Sequence, residues 1–175
     1  MSMICRFVAV DADKLEELRD DPEAALDYVY EVGDEGDPER SIDIDKAWHA
    51  IHWLLNQTAY EGDGPAAVVI FGSETIGEQG GRGVDSDGMA PDQIVRYITA
   101  EQVQEVAALL EETSVEDLEE RYDPDAMEQA EIYPSGIWEE ERAEAFDYVA
   151  QFYEELAAFY AAAAERGDAV LSSIG

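Results

Sequence analysis

This chain predicts a helix-rich α+β fold around a small mixed or antiparallel sheet, and three observations point there. Apolar residues recur at helical spacing through much of the second half, most clearly over residues 139–165. Short apolar runs at 4–10, 66–71, 94–98 and 169–174 have strand length and no helical period. Prolines and capping residues stand where the helical stretches begin.

Residues 4–10 read as the first strand, apolar and in part β-branched. Asp11 or Asp13 then caps a helix over residues 14–19, since an Asp side chain can accept from a free N–H of the first turn. Pro22 suits the first turn of a second helix reaching Val32, where its missing N–H costs nothing. Residues 33–38 are a plain acidic loop, and Asp45 opens a helix that runs through Leu55. The continuous apolar run at 66–71 is read as a buried strand. Residues 72–91 carry six glycines and almost no periodicity, the mark of a long loop.

A strand at 94–98 follows. Thr99-Ala100-Glu101-Gln102 is a capping box ahead of a helix with Val103, Val106, Ala107 and Leu110 on one face. Short helices come next at 115–121 and 124–130. In the longest element Phe146, Val149, Phe152, Tyr153, Leu156, Phe159, Tyr160 and Ala163 recur every three or four residues. Gly167 ends that helix, and residues 169–174 make a final strand.

Forty-three Asp and Glu against ten Lys and Arg give a net charge of −33 over 175 residues. Nucleic acid and anionic membrane are excluded as partners, because both are held by Lys and Arg displacing counterions. With 46% hydrophobic residues, nine Tyr and three Trp, this is a folded acidic domain and not a solvating tail. The carboxylates reflect either a salty environment or an acidic face matched to a basic partner. Their spread through nearly every segment favours the first. Cys5 is the sole cysteine, so no internal disulfide forms and a reducing compartment fits. No apolar run approaches the roughly 20 residues of a membrane span, and no basic region leads into an apolar leader. A cytoplasmic protein is the expectation.

Both histidines fall in the segment from Asp45 to Leu55. Drawn as a helix, Trp48, Ile51 and Leu55 face the core, while Asp45, His49 and His52 form a polar line at its border. In one reading the Asp is a cap and the histidines line a packed helix. In the other, the carboxylate orients one imidazole with the second beside it, a set suited to proton transfer or to metal ligation. A metal needs a third ligand that no spacing supplies, so no metal is assigned. Ile132-Tyr133-Pro134 with Trp138 places two large aromatics in a connection, where they either seal the core or wall a pocket.

The remaining motifs fail on their details. Gly72-Ser73-Glu74-Thr75-Ile76-Gly77 is followed by Glu78-Gln79, where a phosphate loop requires Lys and Ser or Thr. Asp85-Ser86-Asp87-Gly88 echoes a calcium loop, but Gly83 and Ile94 occupy both end-ligand positions. Ser73 lacks a nucleophile elbow, and Cys5 sits in an apolar strand. No cofactor is assigned.

Several stretches taken together resemble the YfbM-like proteins, the DUF1877 family. They are Met3-Ile4, residues 42–48 with His52, residues 96–103, residues 123–127, Ile132-Tyr133-Pro134 with Trp138, and residues 163–171. The resemblance spans nearly the whole chain and implies one domain over residues 1–175, an α+β fold, a bacterial setting and no established activity. It carries over no catalytic residue. His49 matches no position of the family pattern. Ser172-Ser173 stand where a more apolar ending is expected, which leaves the last strand half exposed.

The function read from these residues is ligand binding in a small polar and aromatic cleft. Asp45, Lys46, Trp48, His49 and His52 form one side of it, with Tyr133 and Trp138 as the other wall. The alternative is an immunity-like or inhibitory module that masks a basic protein partner. An enzyme using a carboxylate–histidine pair comes third. No motif names the ligand or the oligomeric state.

Overall fold

The structure, a computed structural model, is described over residues 3–76 and 94–175. The phosphate-loop and calcium-loop motifs at 78–79 and 83–94, and most of the glycine-rich 72–91 loop, therefore lie outside the described residues, Ile94 excepted.

Cys5–Val10 forms strand β1, and its alternation sets the layering. Cys5, Phe7 and Ala9 face one side of the sheet; Val8 and Val10 face the other. Ser41–Asp43 is β2, Glu74–Thr75 β3, Val95–Ile98 β4 and Ala169–Ile174 β5. Among the described residues these strands run in the order β2–β1–β5–β4–β3, every pair antiparallel. The final strand is therefore central, with β1 and β4 on its flanks and helices on both faces. All six of its residues are buried, Ser172 and Ser173 included, which corrects the half-exposed ending expected from the serines.

One face is covered by α1 (Ala12–Leu18) and α2 (Pro22–Glu35), whose Leu15, Leu18, Ala25, Val29 and Val32 meet Val8, Val10, Val95, Tyr97 and Leu171. Asp11 caps α1 by accepting from the Lys14 N–H at 2.7 Å. On the opposite face lie α3 (Trp48–Asn56), α4 (Gly64–Phe71), α5 (Ala100–Glu112), α6 (Val115–Arg121), α7 (Pro124–Gln129) and α8 (Ile137–Arg166). Among the described residues, eight helices around an antiparallel sheet confirm the α+β class.

Strands β2 and β3 are additions to the sequence reading, and two further elements depart from it. Residues 66–71 are helical, within α4. A continuous apolar run fits a buried strand and a buried helix equally, and Pro65 in the first turn is the signal that decides it. Asp45 does not open α3. The Ile44 N–H donates to the Cys5 carbonyl and the Cys5 N–H to that of Asp45, so strand-like pairing with β1 persists through residue 45. Asp45 then turns with φ +49, and the helix begins only at Trp48. α8 is broken at Arg142 (φ +29, ψ −95), whose carbonyl accepts from the Tyr122 hydroxyl at 2.8 Å.

Candidate functional site

α3 carries both histidines, and residues 48–54 are all buried. A helix apolar on nearly every side sits inside the protein, so its two polar side chains need partners there. His49 Nδ1 accepts from the Tyr133 N–H at 2.8 Å, and its Nε2–H donates to the Ala59 carbonyl at 2.9 Å. His52 Nε2–H donates to the Glu61 carbonyl at 3.0 Å, while its Nδ1 accepts from the Asn56 amide at 3.3 Å. These partners assign one tautomer, neutral and protonated at Nε2, to both rings.

Both imidazoles are fully buried, and burial pushes each from the ordinary 6.5 down to about 4. The hydrogen bonds to Ala59 and Glu61 oppose that shift without reversing it. A proton on Nδ1 would face an N–H donor at close range, so neither ring is free to act as a base near neutral pH.

Around the histidines the aromatics form one contiguous group. Trp48 stacks on His49 at 5.0 Å and on Tyr133 at 5.6 Å, with Phe71 edge-on at 6.1 Å. Tyr60 lies 4.8 Å from His49, and Phe71 lies 4.6 Å from His52. The Trp48 indole N–H donates to the Met3 carbonyl, and the Tyr133 hydroxyl accepts from the Met3 N–H, which ties the start of β1 to the group. Tyr60 is 39% exposed, and Phe71 and Tyr133 are half-buried. These three rings reach solvent, and the buried Trp48 packs against Phe71 and Tyr133.

The structure brings Trp48, His49, His52 and Tyr133 into one cluster. It sends Asp45 elsewhere: its carboxylate accepts from the Tyr148 hydroxyl at 2.7 Å. Burial and that carboxylate raise the Tyr148 pKa well above its ordinary value. Lys46 is half-buried and donates its backbone N–H to the same hydroxyl. Trp138 is fully buried, its indole N–H on the Ile132 carbonyl, and seals the core under the connection. Tyr60, Phe71, Asn56 and Tyr148 were not found from the sequence. Phe71 was hidden by the strand reading of its segment, and the others carry no local signal.

An open cleft of about 430 Å³ lies at another place, lined by Lys14, Tyr28, Asp37, Arg40, Arg166 and Asp168 among others. It includes none of the candidate residues, and its cations are already paired with Glu17, Glu35 and Asp168. Among the described residues no group of three His, Cys, Asp or Glu is placed to hold a metal ion, and no helix is long and apolar enough to cross a membrane.

The profile of a family described as "Domain of unknown function (DUF1877)" matches residues 1–173. The chain belongs to the DUF1877 family. The crystal structure of YfbM from Escherichia coli, titled a protein of unknown function, superposes with a TM-score of 0.68 at 20% identity. The match covers 98% of this chain and 99% of that one, so the DUF1877 chain and YfbM share a fold. No curated protein matches the chain.

Proposed function

We propose that this DUF1877 protein is a binding protein, acting as one domain, that takes a small ligand on the aromatic patch of Tyr60, Phe71 and Tyr133. One observation carries the reading. The rings stand partly exposed on a base whose imidazole nitrogens are all engaged, so the patch offers a fixed surface without an available acid or base. Preformed aromatic surface of this kind suits a planar or apolar group. Lys46, two residues before Trp48 in sequence, enters no ion pair among the described residues, which leaves its charge for an acidic substituent of the ligand. A buried free thiol at Cys5 fits a reducing, cytoplasmic setting.

The test is a ¹⁵N-NMR titration with aromatic carboxylates such as benzoate and indole-3-acetate. Saturable shifts around Tyr60, Phe71 and Tyr133, weakened at least tenfold by Tyr60→Ala, support the reading. Shifts that map elsewhere, or survive Tyr60→Ala unchanged, reject it.

The acidic surface supports a second reading, masking of a basic protein. Only four ion pairs form among the described residues, so most of the carboxylates there are left for a partner. Such a complex would associate fast and be salt-labile. Capture of a cationic protein that persists unchanged in high salt would count against it.

A further inference from the structure

Every described arginine except Arg96 has a partner for its guanidinium. Arg6 lies over the Tyr30 ring and Arg19 over Tyr97. Arg40, Arg142 and Arg166 pair with carboxylates, and Arg121 donates to the Leu54 carbonyl. Arg96 is 3% exposed, and its Nη2 is buried without a hydrogen bond. A buried guanidinium nitrogen with no acceptor is among the costlier features a fold can hold, because nothing offsets the hydration it has lost. Among the described residues no carboxylate pairs with Arg96.

The surroundings are built to keep Arg96 where it is. Gly72 approaches so closely that a Cβ there would lie 3.0 Å from the Arg96 Cβ, and its φ of +67 also favours glycine. Arg96 pairs with Ser172 across β4 and β5, and antiparallel partners project to the same face. Ser172 is itself 5% exposed. The Cys5 thiol is on that face too, and the nearby Arg96 charge lowers its pKa against the burial that raises it. These polar groups interrupt a face otherwise made of Phe7, Ala9, Ile98, Val170 and Ile174. The serine that looked out of place in an apolar strand thus stands opposite the unpaired arginine.

We propose that Arg96, with the Ser172 hydroxyl beside it, anchors a buried site for a small anion, either a halide or a carboxylate-sized oxyanion. The guanidinium supplies charge and directed donors, and Ser172 adds a hydroxyl donor. Binding gives the buried Arg96 Nη2 the acceptor it lacks, so it stabilises the folded state by linkage. The site depends on no ring of the aromatic patch.

The test measures melting temperature in potassium salts at one fixed potassium concentration, varying only the anion among chloride, acetate, phosphate and gluconate. Fixed potassium holds screening of the acidic surface constant. The expected result is a saturable rise of several degrees over gluconate for chloride or acetate, and the better of the two identifies the anion as halide or carboxylate. Arg96→Gln should erase that difference, and Ser172→Ala should raise the half-saturating concentration severalfold. Equal melting temperatures in all four salts, or an anion difference retained in Arg96→Gln, overturn the proposal. If Arg96→Gln does not fold, an unchanged half-saturation in Ser172→Ala overturns it.

Discussion

His49 and His52 commit both ring nitrogens to the turn at 59–61, to Tyr133 and to Asn56, so each imidazole works as a strut between α3 and its neighbours. Replacing His52 by Ala leaves the Glu61 carbonyl with the Thr58 hydroxyl as its remaining donor and opens a cavity where a fully buried ring stood. The expected loss is about 3 kcal/mol, read from the denaturant midpoint. A loss below about 0.5 kcal/mol would show that the ring is dispensable to the fold. Gly62→Ala attacks the same turn from outside, since a Cβ there would lie 2.3 Å from the Asn56 side-chain oxygen. It should destabilise the protein, and relief in the Gly62→Ala/Asn56→Ala double variant would locate the clash. Half of this cluster was legible in the sequence. Trp48, His49, His52 and Tyr133 do meet, but the Asp45 partner was inferred from a helix start three residues too early. Where a helix begins depends on the pairing of residues 44–45 with β1, which no local spacing reveals.

At the scale of elements, what was legible is what short-range chemistry decides. The Thr99 box is present in both directions: the Gln102 N–H donates to the Thr99 hydroxyl and the Thr99 N–H to the Gln102 side chain. Thr99→Ala should cost about 1 kcal/mol in urea unfolding and Thr99→Ser very little. Equal losses in both variants would mean that the methyl group, and not the hydroxyl, matters. Asp11, Asp21, Ser114 and Asp123 cap their helices by the same logic. β2 was missed because three residues carry no pattern, and α4 was taken for a strand because its apolar run has no polar face. The exposure of β5 was misjudged for a different reason. Two serines describe a strand's composition, whereas burial follows from its central place in the sheet order.

For the whole molecule, the charge and the buried histidines pull in different directions as conditions change. Thermal stability should climb with KCl while repulsion is screened, and flatten by a few tenths molar, where the Debye length is about 5 Å. A climb that continues into the molar range would assign the acidity to a salty environment. Stability indifferent to KCl would mean that the −33 charge does not strain the fold. The pH response follows from the imidazoles. The unfolded chain takes up protons below about pH 6.5, whereas the folded rings resist until about pH 4. Stability is therefore fully present above 6.5 and is lost progressively as pH falls to 4, by on the order of 3 kcal/mol per ring. Unfolding measured in molar KCl, where carboxylate repulsion is screened, isolates this loss. Constant stability between pH 7 and 4.5 would contradict it.

The most direct measurement is long-range ¹H–¹⁵N NMR of the imidazole nitrogens from pH 8 down to 4. Two histidines in the chain make the spectrum simple to assign. Both rings should show the Nε2–H tautomer and remain neutral until the pH nears 4. A ring that titrates close to 6.5, or carries its proton on Nδ1, would contradict the strut account and reopen the histidines as acid–base groups.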